Sequence, residues 1–315
     1  MNEPENPLVT VIIPSFNHAQ YIANAIDSVT GQSYAPIELI VVDDGSTDDS
    51  HEVLRGYRGR PEITVILNQR NRGQGAVLNQ ALARARGAFV CFLPSDDWYL
   101  PDKVALQVRR FLEGPDDVGV VYGKGLRHFE DTGESVLWQP LAPRRGWVAE
   151  ALLAEGNFVY PVTPMFRREC FERVPFDEDF RAEGEAIYVK IALHYRFDYV
   201  DEVVAVMRGH GYNIGSNHKL MYFENIRYWE KFFARPGLPG NIARLRARVL
   251  SRTGVIKGLD IIVGERDFAL GRRCLWRAIL ERPRAILKRS VLQGLVLTLL
   301  PSFLANFLLD RRRGG

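Results

Sequence analysis

Cysteine is scarce in this chain. The three that occur among 315 residues, Cys91, Cys170 and Cys274, lie far apart and form no CxxC pair. A disulfide framework and a cysteine-held zinc site are therefore not expected, and a reducing compartment is the simplest setting. Cys91 falls in the apolar run 88–93, which predicts a buried, inert thiol and no nucleophile. There is no internal repeat and no low-complexity tract. The opening Met-Asn-Glu-Pro-Glu-Asn-Pro has no basic region followed by an apolar core, so no secretory signal is expected there. The first apolar run is followed by Pro14-Ser15-Phe16-Asn17, where a NAD-linked dehydrogenase would need GxGxxG and a nucleotidyltransferase a Gly-rich loop with Lys or Arg. The GxxxxGK[ST] phosphate loop is missing as well.

What is present points to a folded chain. Apolar residues make up 46% and charged residues 25%, which argues against global disorder. The net charge of +3 hides a split. From Asn241 onward there are 16 Lys+Arg and 5 Asp+Glu, a net of +11, whereas residues 1–240 carry 25 and 33, a net of −8. A basic tail on an acidic body suits an anionic membrane surface. Nucleic acid is the weaker partner, because the tail lacks interleaved aromatics and any familiar binding signature.

The first half alternates β-branched runs (9–13, 39–42, 63–67, 88–93, 118–122) with amphipathic stretches (about 20–32, 48–58, 74–86, 101–112). Such alternation predicts βαβ units and an α/β fold with a mostly parallel sheet flanked by helices. Asp48 and Asp49 can cap the second helix, Pro101 suits a helix start, and Gly87 suits a helix end. Two further helices are expected at about 147–155 and 183–195, and 220–289 reads as helical and basic. The Pro236–Gly240 breaker sets a boundary, giving 1–125, 126–236 and a helical C-terminal extension at 237–315. Ser290–Leu309 holds no charged residue. Pro301, Gln293 and Asn306 argue against a membrane span, and a buried helical hairpin and interfacial docking stay open.

Four clusters fall at the carboxyl ends of the expected strands, where open α/β sheets bind ligands. Pro14-Ser15-Phe16-Asn17 can line a base pocket, although for this cluster alone a plain strand-to-helix turn is the better reading. Asp43 and Asp44 are adjacent carboxylates that need donors, and one can accept the imide N–H of a uracil or a ribose hydroxyl. Asn71-Arg72-Gly73-Gln74-Gly75, with Asn79 beyond, offers backbone N–H groups and a guanidinium to phosphate. Asp96 and Asp97 after an apolar strand suit a hard divalent cation, Mg2+ or Mn2+.

Together, VTVIIPSFNHAQYIANAIDSV, ELIVVDDGSTDDS and NRGQGAVLNQALARARGAFVCFLPSDDWYLPDK resemble the nucleotide-binding half of family 2 glycosyltransferases, which have the GT-A fold. The resemblance covers about 1–125. It implies Pro14 and Asp44 at the nucleobase, Arg72 and Gly73 along the nucleotide, Asp96 on ribose or metal, and Asp97 on the cation. Further on, 161–168 looks like an acceptor-side strand, and Arg208-Gly209-His210 with Ser216 looks like the segment whose His completes the metal site. One departure stands out. Gly184 falls where the family's catalytic Asp should be, so Glu183 or Glu185 would have to supply the base. The expected activity is inverting transfer from a nucleoside-diphosphate sugar, UDP by default, to a glycan or lipid-linked hydroxyl. The expected location is the cytoplasm, peripherally at the membrane. The alternative is a sugar-nucleotide-binding protein that has lost its base.

Overall fold

The computed structural model describes residues 6–138, 143–180, 183, 186–210 and 217–311. Contacts divide the chain into two compact units, 1–210 and 211–315.

The first unit runs β1 (Val9–Ser15), α1 (Ile22–Thr30), β2 (Ile37–Asp43), α2 (Ser50–Arg55), β3 (Ile63–Leu67), α3 (Gln74–Leu82), β4 (Phe89–Phe92) and β5 (Trp98–Tyr99). It continues with α4 (Lys103–Glu113), β6 (Val118–Phe129), β7 (Ser135–Trp138), α5 (Ala149–Glu155), β8 (Met165–Arg167), α6 (Glu169–Arg173), α7 (Ala186–Ala192) and β9 (Arg196–Gly209). One sheet takes the order β3-β2-β1-β4-β8-β6-β9-β5, with β7 on β6. The β3-β2-β1-β4 part is parallel, β8 is antiparallel to both neighbours, and β6 and β9 run parallel.

Strand β1 lies between β2 and β4. The chain leaves β1 toward one side and leaves β4 toward the other, so a crevice opens at their carboxyl ends. Register sharpens this edge, since Ser15 sits beside Asp43, and Asp43 beside Leu67. The strands are apolar on both faces because helices cover both. Val9, Val11, Ile13, Leu39, Val41 and Cys91 are all within the main core. Each fully buried aliphatic side chain contributes roughly 1.5–3 kcal/mol. Phe89 stacks on Phe111 of α4 at 4.5 Å, fixing that helix to the sheet.

Cys91 is buried, as the sequence led one to expect, and Cys170 and Cys274 are buried as well. Burial raises the Cys91 thiol, and the Lys103 ammonium at 3.5 Å only partly opposes it. Two local readings change. Asp49 occupies the N-cap of α2 without a side-chain bond, and it is Asp48 that accepts from Ser50 N at 3.1 Å. Gly87 does not end α3, which stops at Leu82. A Cβ on Gly87 would lie 2.5 Å from Thr10 N, so the glycine permits β1 to approach closely.

The second unit is helical: α8 (His218–Phe233), α9 (Gly240–Ala243), α10 (Arg246–Gly264), α11 (Phe268–Glu281), a 3-10 turn (Pro283–Leu287), α12 (Arg289–Leu299) and α13 (Ser302–Arg311). No helix among the described residues is long and apolar enough to cross a membrane.

Candidate active site

The site is assembled at the carboxyl edge of the sheet. Asp43, the last residue of β2, is fully buried. Its Oδ1 accepts Ser46 N at 2.9 Å and lies 2.8 Å from His51 Nε2, and its Oδ2 accepts the Ser46 hydroxyl at 2.6 Å. Asp43 thus serves the turn that follows it. Asp44 faces a different loop. Its carboxylate accepts the backbone N–H groups of Arg72 at 2.9 Å and Gly73 at 2.9 Å, with Asn68 Nδ2 at 3.3 Å. These bonds satisfy a side chain that is only 5% exposed and hold the 68–73 loop against β2.

Asn17 locks the loop after β1 to the loop after β2. It adopts φ 54°, a left-handed value that Asn tolerates better than most residues. Its Oδ1 accepts Thr47 N at 2.8 Å and its N–H donates to Ser46 Oγ at 2.8 Å. Ser15 is buried at the end of β1, and Phe16 is exposed beside it.

Antiparallel pairing of Trp98 with Val206 brings the Asp96-Asp97 turn against the end of β9. There Arg208 N donates to Asp97 Oδ1 at 2.7 Å, and Arg208 Nε donates to the Asp96 carbonyl at 2.9 Å. The Arg208 guanidinium lies between the rings of Tyr21 and Trp98, at 4.8 and 4.7 Å from their centroids. Its Nη1 meets Glu130 at 3.1 Å, and Tyr21 donates its hydroxyl to the same carboxylate at 2.8 Å. Asp97 is 3% exposed. Burial first, and then the neighbouring Asp96, push its carboxyl well above the usual range, against the pull of Arg208.

A second constellation sits alongside. His210 Nε2 is 3.0 Å from Asp96 Oδ2, and the His210 ring stacks on Tyr21 at 5.2 Å. His18 meets His210 edge-on at 5.9 Å, while its Nδ1 lies 2.8 Å from Ser95 Oγ. Desolvation lowers the His18 pKa, partly offset by Asp96. One ligand atom from each of His18, Asp96 and His210 lies within 4.8 Å of the others. Two imidazole nitrogens and a carboxylate oxygen suit Mn2+, and the carboxylate alone suits Mg2+ less well than an all-oxygen set would. The donor set therefore fits a divalent cation. Asp97 is outside this group of three and bonds the Arg208 backbone.

Glu183 is buried and forms an ion pair with Lys190, whose side chain is buried with it. The Glu183 carboxylate also accepts Asp177 N at 2.9 Å, and Lys190 donates to the Pro175 carbonyl at 3.2 Å. This places Glu183 in a structural strut. Glu185 and Gly184 lie outside the described residues, as does Ser216. Asn79 is likewise occupied, donating to the Phe176 carbonyl at 3.0 Å and accepting Phe176 N at 3.1 Å. His18, Tyr21, Trp98 and Glu130 were not singled out by the sequence. His18 and Tyr21 follow the PSFN cluster and Trp98 follows SDD, whereas Glu130 lies far from both in sequence.

The model of glycosyl transferase family 2 matches residues 10–174. An uncharacterised glycosyltransferase of Nostoc sp. is 34% identical over 215 residues, which is 65% of this chain and 66% of that protein. The succinoglycan biosynthesis protein ExoO of Rhizobium meliloti is 31% identical over 211 residues, 61% of this chain and 58% of that one. The chain thus spans less than two thirds of the length of these curated relatives. Among solved structures, S. aureus TarS 1-349 in complex with UDP-GlcNAc gives a TM-score of 0.66 at 18% identity, covering 88% of this chain and 82% of that one. The mannosyltransferase PcManGT of Pyrobaculum calidifontis, in complex with GDP-Man and Mn2+, gives 0.60 at 20% identity, covering 96% and 86%. At such identity the likeness is one of fold, and it is the GT-A fold.

Proposed function

This chain belongs to glycosyl transferase family 2, and from that premise we propose that it moves a sugar from a nucleoside-diphosphate sugar to a hydroxyl of a glycan or lipid-linked acceptor, inverting the anomeric carbon. UDP is the default nucleotide of the proposal. The loops after β1 and β2, tied together through Asn17 and anchored by Asp44, form the nucleotide cradle. Pro14, Ser15 and Phe16 line its base end, and Arg72 and Gly73 run along the phosphates. Asp96, His210 and His18 hold Mn2+ or Mg2+, with Asp97 as the family's second carboxylate behind them. When bound, the cation supplies positive charge to the departing diphosphate.

Glu183 is committed to Lys190. The carboxylate proposed to take the acceptor proton is therefore Glu185, which must reach that hydroxyl within hydrogen-bond distance. A non-catalytic sugar-nucleotide binder finds no support among the relatives. Free, buried cysteines agree with the cytoplasmic location that belongs to this proposal.

The observation that carries the reading is the convergence of His18, Asp96 and His210 from the ends of three different strands. Calorimetric titration with UDP and GDP, with and without Mn2+, tests it. One nucleotide should bind at least tenfold tighter with Mn2+, and Asp96→Asn, Asp97→Ala and His18→Ala should each remove most of that gain. Equal binding with and without metal would remove the proposed cation site, and no binding of either nucleotide would sink the donor assignment.

A further inference from the structure

Helices α12 and α13 are separated by a break at Pro301, and each has two unlike faces. Val291, Gly294 and Thr298 of α12 are buried, as are Ala305 and Leu309 of α13. A Cβ on Gly294 would lie 2.7 Å from Leu259, so this inner face packs tightly on α10. The outer face is apolar and open. Leu292, Val296 and Leu299 recur at helical spacing and are 47%, 57% and 72% exposed. Phe303 and Phe307 of α13 extend the stripe at 70% and 53%, and Leu287 of the 3-10 turn precedes it at 77%. Isolated exposed apolar residues are ordinary, but a continuous stripe of this kind marks a binding surface.

Charge identifies the occupant. Arg282, Arg284, Lys288 and Arg289 are exposed at the start of the stripe and make no ion pair among the described residues. They belong to a segment, 241–315, with 16 Lys+Arg against 5 Asp+Glu. A second copy docked by two-fold symmetry would bring these cations toward their own equivalents, which is unfavourable. An anionic surface accepts both the cations and the apolar stripe. Helices of 11 and 10 residues reach only about 16 Å each, roughly half of a bilayer's hydrocarbon thickness. They can lie in an interface and cannot cross one.

We propose that the exposed apolar faces of α12 and α13, with the 3-10 turn before them, are a monotopic docking site for an anionic lipid bilayer. The inference does not rest on the proposed activity, and its test reads no catalysis. The full chain is sedimented with vesicles of phosphatidylcholine, with and without phosphatidylglycerol. Two variants accompany it: Leu299→Glu with Phe303→Glu, and Arg284→Ala with Lys288→Ala and Arg289→Ala. All five positions are solvent-exposed, so thermal melting should show both variants folded. The wild type should bind anionic vesicles and release them at high salt. The glutamate pair should lower binding at least tenfold. The alanine triple should lower anionic binding by roughly fivefold per cation removed and leave binding to neutral vesicles unchanged. Indifference to phosphatidylglycerol would overturn the proposal. So would a wild-type dimer that the glutamate pair turns into a monomer, since the face would then belong to a second copy.

Discussion

Glu183 and Lys190 show how a residue's partners in the fold bear on a role that its neighbours in sequence suggest. A Glu at a helix start beside the expected catalytic position invites a chemical role. The fold instead buries both partners, with side chains 1% and 4% exposed. Removing one member of a buried pair leaves an uncompensated charge and costs about 3–5 kcal/mol. Glu183→Ala should therefore lower the unfolding free energy by about that much in urea titrations. Lys190→Met should cost less, because Glu183 keeps the Asp177 N–H and can take up a proton. A base free of structural duty would behave oppositely, with Glu183→Gln leaving stability intact and abolishing transfer. The residues of the candidate metal site teach a related lesson. The resemblance in sequence sets Asp97 on the cation and Asp96 on ribose or metal, whereas the structure groups Asp96, and not Asp97, with the two imidazoles. The acidic pair itself was legible. His18 was not, since a lone His in a turn carries no local pattern, and its partner His210 is bonded to Asp96 across 114 residues of sequence.

At the scale of elements, the parallel strands and their helices were legible because burial on both faces writes continuous apolar runs. All five expected strands are present, and the helices begin and end within a few residues of their expected limits. The far side of the sheet was not legible. Strands β5 and β8 have two and three residues, too short for any periodicity, and β9 gains its place by pairing with β6 and β5, both distant in sequence. Yet β9 is what delivers Arg208 and His210. Loops show the same dependence on distant partners. Gly45 has φ 76°, and a Cβ there would lie 2.7 Å from the Arg70 backbone. Strain in that region costs on the order of 1–3 kcal/mol, before the clash is counted. Gly45→Ala should displace the 68–73 loop from Asp44, weaken nucleotide binding by an order of magnitude or more, and lower the melting temperature. Unchanged affinity in calorimetry would mean that the Asp44 loop does not form the nucleotide cradle.

Across the whole molecule, the chain divides into two compact units, 1–210 and 211–315, and the basic segment 241–315, net +11, belongs to the second. Every described residue of the candidate site lies in the first. The second is held by a seam of small residues, where α10 and α11 approach so closely that a Cβ on Gly271 would lie 2.3 Å from Ile262. A Cβ on Gly258 would likewise lie 2.9 Å from the Cys274 Cβ. Overpacking such a seam costs typically about 1–3 kcal/mol. Gly271→Val should lower the stability of the second unit and leave Mn2+-dependent nucleotide binding at its wild-type value. Calorimetric melting checks this directly, because a ligand stabilises only the unit that binds it. The wild type should show a transition that rises with nucleotide and one that does not, and the variant should lower the second alone. A single transition, moved by both the nucleotide and the Gly271 substitution, would mean that the units unfold together and that the basic helices contribute to the stability of the whole chain.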